Sequence, residues 1–365
     1  MNDITIDKTG WKKWRFDEFA QNISERVEPS QTDMDVYVGL EHIDPDTLHL
    51  SRHGHPSDVE GTKLRFYKGD IIFGRRRAYQ RKTALATTDG ICSAHAMVLR
   101  AKEDVVDPSF FPFLFHSKQF IDMAITISVG GLSPTINWKD ISKQEFLLPP
   151  KSEQKRLAEL TWAADEMIEK EKREREKLQS YYFALQTNIF QNNTNCTKRL
   201  CDIANITMGQ SPVGSSYNEN NEGVPFLQGN SEFTDKYPVA IKYTTAPTKM
   251  ANAGDILMSV RAPVGAINIA DKSYCIGRGL CAISAKSGNN DYLRFLLQSK
   301  IAELDRISTG STFKAINSND LKCLEVPSKE QDISLLLRCE KAITDLSGCI
   351  QRSKQIKQEL INKVF

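Results

Sequence analysis

Two halves of this chain repeat one order of short motifs, and that duplication limits the fold more than any other feature of the sequence. In the first half Lys68-Gly69-Asp70-Ile71-Ile72 leads to Arg77-Ala78, then Cys92, then Leu99-Arg100-Ala101-Lys102. In the second, Ala253-Gly254-Asp255-Ile256-Leu257 leads to Arg261-Ala262, Cys275 and Ile283-Ser284-Ala285-Lys286. Phe113-Leu114-Phe115-His116-Ser117-Lys118 then matches Phe295-Leu296-Leu297-Gln298-Ser299-Lys300, and Ile136-Asn137-Trp138-Lys139-Asp140-Ile141 matches Ile316-Asn317-Ser318-Asn319-Asp320-Leu321. The offset drifts from 185 at the glycines (254 − 69) to 177 at Glu153-Gln154 and Glu330-Gln331 (330 − 153). Seven anchors in one order describe two similar modules in tandem. A length of 365 residues suits several cores rather than one.

Each module opens with short apolar runs of strand length, entered through Gly-Asp, and continues into segments of helical periodicity at 109 to 125 and 291 to 305. Pro149-Pro150 and Pro327 stop the β-rich body. The segment after each stop has no early proline and reads as a long helix, from Ser152 to about Gln191 and from about Ser328 to Phe365. Leu157, Leu160, Ala164, Met167, Leu178, Tyr181 and Leu185 fall on heptad steps, as do Leu336, Cys339, Ile343, Leu346, Ile350, Leu360 and Val364. Two apolar seams in one chain predict an antiparallel coiled coil. Eleven of the 13 residues from Asp165 to Lys177 are charged, which reads as a solvated helix face. The expected fold is α+β: tandem similar α/β domains at 1–150 and 192–327, separated by long helices at 151–191 and 328–365.

Composition excludes several classes. No uncharged apolar run approaches the roughly 18 residues of a membrane span, and the first residues, MNDITIDKTGWKKW, carry charge without an apolar core or cleavage pattern, so a cytoplasmic protein is expected. The eight cysteines form no Cys-x-x-Cys pair, which argues against a disulfide framework or zinc knuckle. A formal net charge of +2 means that any nucleic-acid surface must come from local clustering of Lys and Arg. There is no Walker loop, dinucleotide fingerprint or HExxH helix, no Asn-Pro-Pro-Phe/Tyr motif, and no convincing nucleophile, base or metal constellation. His53 and His55 flank Gly54 without a nearby cysteine pair and read as a polar loop.

Two similar heads, each followed by a long helix behind Pro and Glu-Gln, resemble the specificity subunits of Type I restriction-modification systems. The resemblance rests on Val38-Gly39-Leu40-Glu41-His42-Ile43, on the stretch from Lys68 to Lys82, on Leu148-Pro149-Pro150-Lys151-Ser152-Glu153-Gln154, and in the second half on Gly209-Gln210-Ser211-Pro212 and Ala253-Gly254-Asp255-Ile256-Leu257. The second head departs from the pattern, with Val326-Pro327-Ser328-Lys329 in place of a double proline, which blurs the start of its helix. The resemblance implies a non-catalytic chain that reads a bipartite site in double-stranded DNA, one half-site per target-recognition domain. It also implies that the helices dock two methyltransferase (modification) subunits, that restriction subunits join for cleavage, and that S-adenosylmethionine, Mg and ATP belong to those partners, with no cofactor or metal on this chain. The heads would then grip major grooves about one turn, or 34 Å, apart.

Candidate DNA contacts are chosen by residue type. Arg75, Arg76, Arg77, Arg81 and Lys82 surround Tyr79 just after a strand, where guanidinium groups can hold phosphates or read guanine. The counterpart loop keeps Ser259 and Arg261. Loops carrying Gly130, Ser133 and Thr135, and Ser311, Thr312 and Lys314, offer N–H groups and hydroxyls to a backbone, as does the loop with Ser211, Ser215, Ser216 and Tyr217. Each of these loops could equally be an ordinary turn. Two other readings compete: a scaffold or decoy that sequesters modification subunits without reading DNA, and an unrecognised nuclease, which metal-dependent cleavage by the purified chain would favour.

Overall fold

A computed structural model describes residues 6–191, 197–308 and 315–365. The chain divides into two compact units, Met1–Glu174 with Asp345–Phe365, and Arg175–Thr344. Among the described residues no helix is long and apolar enough to cross a membrane.

In the first unit, buried β-branched and aromatic runs form two small sheets. One is antiparallel in the order Ala20–Ile23, Ala96–Ala101, Ile71–Gly74, Thr83–Leu85. The other runs Arg26–Val27, Lys63–Phe66, Gly90–Cys92, Tyr37–Val38, its last pair parallel. A separate ribbon joins Lys12–Arg15 to Glu145–Leu148, closing the head on itself. An aromatic core that includes Phe16, Phe19, Phe73, Phe111, Phe115, Phe120 and Phe146 fills the space under the first sheet.

The second unit repeats this plan. Ala204–Met208, Leu280–Ala285, Ile256–Ser259 and Ile267–Ile269 form the first sheet in the same order, and Val224–Leu227 pairs in parallel with Tyr274–Ile276 as Tyr37–Val38 pairs with Gly90–Cys92. Thr197–Arg199 and Glu325–Pro327 form the closing ribbon. The duplication is therefore structural as well as sequential.

The central helix spans Lys151–Gln191 and the terminal helix Ser334–Val364. They pack antiparallel. In the first unit Leu157 and Ala158 share a core with Val364, Asp165 pairs with Lys357 at 2.7 Å, and Ser353 donates to Glu171 at 3.3 Å. In the second unit Leu185, Ile189 and Phe190 share a core with Leu336 and Leu337.

Two expectations need correction. The heptad frame expected for the central helix is one residue out: Leu160 and Met167 are 52% and 56% exposed, and Tyr181 is 51% exposed, so these three do not pack in the seam. The buried line instead runs Leu157, Thr161, Asp165, Ile168, then Gln186 and Phe190. Polar residues occupy it, so apolar periodicity points to the wrong face. Leu178 is half-buried and Leu185 reaches the core of its unit from the edge of the seam. On the terminal helix the expected frame holds, with Leu336, Cys339, Ile350 and Val364 buried and Ile343, Leu346 and Leu360 half-buried. That helix begins at Ser334 rather than Ser328. Glu330 accepts hydrogen bonds from Ser287 and Asn289, which holds 328–333 against the head. In the first unit Gln154, already helical, makes the corresponding attachment by donating to the carbonyls of Pro149 and Val105.

Candidate nucleic-acid interface

The basic loop of the first head leaves the fully buried strand Ile71–Gly74 and is pinched at its base, where Gly74 N donates to Lys82 O at 2.9 Å. A Cβ on Gly74 would lie 3.1 Å from that carbonyl, so the close approach favours glycine. Between these ends Arg77 and Arg81 both hold left-handed backbone, φ 57° and 54°, on either side of the single turn Ala78–Gln80. Such conformations cost non-glycine residues of order 1–2 kcal/mol and tend to be kept where geometry serves function.

The Gly/Ser loop is bound to it. Val129 and Thr135 exchange both backbone hydrogen bonds, with Gly130 at φ 120° in the turn between them. Arg76 bridges to Thr135, Arg77 N donates to Pro134 O at 2.7 Å, and the Arg77 guanidinium donates to Ser133 Oγ at 3.1 and 3.3 Å. Arg75, Arg76, Arg77, Gly130, Ser133 and Thr135, expected as two loops, thus form one surface. Tyr79 stands exposed beside it.

Charge pairing separates the arginines of this head. Arg15, Arg52, Arg65, Arg81 and Arg100 each meet a carboxylate. Among the described residues Arg26, Arg75, Arg76 and Arg77 have none within ion-pair distance. Arg81 is held by Asp46, and Lys82 donates to Leu40 O at 2.5 Å, so both are committed to anchoring the loop.

In the second head the backbone aligns the loops more finely than sequence does. Ile316 N donates to Val260 O as Ile136 N donates to Arg75 O, and Arg261 bridges to Ala315 as Arg76 bridges to Thr135. Arg261 is therefore the counterpart of Arg76, not of Arg77, and Val260 replaces Arg75. Ser259 is buried, its hydroxyl donating to Arg261 O at 2.6 Å. Ser216 donates to Val213 O, and Tyr217 donates to Pro212 O and stacks on Phe226 at 5.0 Å, so both shape their loop from within. Ser215 is exposed, and Ser211 Oγ accepts from Arg278 N at 3.4 Å. Ser311, Thr312 and Lys314 lie outside the described residues.

Arg278 was not among the expected contacts. It is exposed in a turn where Leu280 N donates to Gly277 O, as Ala96 N does to Ser93 O in the first head, and among the described residues it has no carboxylate partner. The signal in the sequence is Gly277-Arg278-Gly279: a Cβ at either glycine would lie 2.7–3.1 Å from the nearest atom of Gln228. Where the first head has Arg75 and Ala94, the second has Val260 and Arg278, so a cation has moved from one loop to another.

These features agree with the comparisons. The family model described as Type I restriction modification DNA specificity domain matches residues 57–180 and 192–359. The chain is 27% identical over 357 residues to a Methanocaldococcus jannaschii protein named as the specificity subunit of the type I restriction enzyme MjaX, covering 89% of this chain and 84% of that protein. It also resembles a solved structure titled for complex assembly and conformational transition of the type I R-M system (TM-score 0.69, 27% identity, 98% of this chain and 97% of that one). The HsdS subunit from Thermoanaerobacter tengcongensis aligns over the same shares of the two chains (TM-score 0.52, 26% identity). With the family model matching twice and covering most of the chain, the chain belongs to the type I restriction-modification specificity subunits, which recognise DNA sequence and leave catalysis to partner subunits.

Proposed function

We propose that the chain reads a split DNA site, with one half-site for each head, residues 1–150 and 192–327, and that the helices Lys151–Gln191 and Ser334–Val364 carry two modification subunits. The carrying observation is that the loops following equivalent strands hold arginines that have no carboxylate partner among the described residues, and that these differ between heads: Arg75, Arg76 and Arg77 in one, Arg261 with Arg278 in the other. Unpaired guanidinium groups are free to meet phosphates and guanine edges, and different arrangements suit different half-sites. The exposed Leu160, Met167 and Tyr181 leave apolar area on the central helix for a protein partner. S-adenosylmethionine, Mg and ATP belong to the partner subunits, and the complex works in the cytoplasm.

The test is to co-express the chain with its modification subunit and map methylated adenines by long-read sequencing. A motif of two defined halves with a fixed gap, weakened by an Arg75/Arg76/Arg77 triple alanine variant, is expected. A stable complex that marks no motif would replace this reading with a decoy scaffold.

A further inference from the structure

A cleft of about 440 Å³ opens in the first head, lined by residues of both its sheets. Asn22 comes from the edge strand of one sheet, Arg26 from the edge strand of the other, Arg75 from the start of the basic loop, and Trp138 from the first turn of the short helix Trp138–Ile141. Its size falls within the roughly 300–1,000 Å³ of small-ligand sites.

The lining is one-sided in charge. Arg26, Lys63 and Arg75 contribute to it, and no Asp or Glu does. Lys63 donates to the carbonyls of Glu60 and Gly61, which leaves Arg26 and Arg75 as the lining guanidinium groups without a partner among the described residues. An anion with several acceptor oxygens satisfies both, as a phosphate does. Trp138 packs on Phe16 at 5.8 Å and also contributes to the cleft wall. An indole in the wall of a cleft that two arginines also line suits a nucleobase attached to that phosphate.

We infer that this cleft takes one nucleotide of the bound DNA strand, its phosphate between Arg26 and Arg75 and its base against Trp138. Stacked bases in a duplex have both faces covered, so a base held here has left the helical stack. The cleft belongs to one half-site only, because Val260 and Ser318 occupy the places of Arg75 and Trp138 in the second head. The inference rests on the chain being a DNA reader, and it adds a contact that reads a base outside the duplex.

Extrusion makes a prediction that stacked reading does not: breaking the pairing of the extruded base removes part of the cost of extruding it. The experiment measures affinity of the complete modification complex for duplexes carrying a mismatch at each position of the methylated site, with the partner strand altered and the read base kept. Besides the methylated adenines, which the modification subunits extrude for themselves, one further position, in one half-site, gains tenfold or more. Arg75→Met keeps the aliphatic stem and loses that gain while the gains at the adenines remain; Trp138→Phe keeps an aromatic ring on Phe16 and retains part of it. A complex that methylates a split site yet gains nothing from a mismatch at any position other than the methylated adenines overturns the cleft and leaves DNA reading intact. One that methylates no split site removes both. Titration with free deoxynucleoside monophosphates is the second arm: binding that Arg75→Met abolishes, with no mismatch gain, would assign the cleft to a free nucleotide instead of a strand.

Discussion

Arg77 and Arg81 stand four residues apart in the same strained loop, yet their side chains are tied to different things. The exposed Arg77 guanidinium hydrogen-bonds to Ser133 Oγ and meets no carboxylate among the described residues, whereas Arg81 is held by Asp46 and by the His116 carbonyl. If Arg76 and Arg77 each hold a phosphate beside the base edge they read, alanine at either one lowers the magnitude of the slope of log K against log salt by about 0.9 and also weakens discrimination within that half-site. Arg81→Ala leaves that slope unchanged; salt titrations of DNA binding check both. His116 makes a second prediction. Burial, with Lys357 adding to it, pushes its imidazole down to about 3, and no partner meets its Nε2. A folded value below the ordinary 6.5 contributes stability that is present above pH 6.5 and is lost as pH falls toward 3. His49 runs the other way: its hydrogen bond to Asp165 raises its value, so its contribution is fully present below 6.5 and lost as pH rises through the raised value. Asp165, held down at about 2 by His49 and Lys357 against its own burial, weakens the fold only below about pH 4. Between pH 6.5 and 4 the loss therefore belongs to His116. Urea midpoints across this window fall in the native protein and fall less in His116→Leu; equal slopes would refute the assignment.

At the scale of elements, the strands Ile71–Gly74 and Ile256–Ser259 were legible in the sequence because each enters through Gly-Asp and opens on three apolar residues, as at Ile71, Ile72 and Phe73; the order of strands in the sheets was not, because it depends on pairing between distant segments. The terminal helix was legible because its seam is mostly leucine, isoleucine and valine, with Cys339 and Lys357 also buried there. The central helix was not, because Thr161, Asp165 and Gln186 sit in its seam and a hydrophobicity pattern counts them as outward-facing. Asp165 tolerates burial only because Lys357 and His49 meet it at 2.7 and 2.5 Å. Arg278 and the Arg26–Trp138 cleft were hidden differently, since they depend on strands that bring distant residues together. The displaced seam predicts an ordering of costs: Leu160→Lys and Met167→Lys stay within about 0.5 kcal/mol, while Ile168→Ala costs about 2–5 kcal/mol. Removing one partner of the buried pair, in Asp165→Ala, costs about 3–5 kcal/mol, and the double change Asp165→Leu with Lys357→Met recovers most of it. Urea denaturation of these variants decides; a costly Leu160→Lys would restore the original frame.

For the whole molecule, duplication has a consequence that neither head has alone. Two copies of one scaffold present the same strands and the same loop positions, so recognition can diverge by exchanging a few loop residues while the core stays fixed. The exchange of Arg75 and Ala94 for Val260 and Arg278 is of this kind: the backbone bonds at Ile136 and Ile316 keep one geometry while the cation changes place. Specificity should then be separable by halves. Arg76→Ala with Arg77→Ala degrades one half of the methylated motif and leaves the other half intact, and Arg261→Ala with Arg278→Ala does the reverse. The gap between halves is unchanged in both variants, because no residue of the two long helices is altered. Methylome maps of cells carrying each variant read all three quantities at once. Loss of both halves together in either variant would mean that the heads do not read independently, and that binding by one is a precondition for reading by the other.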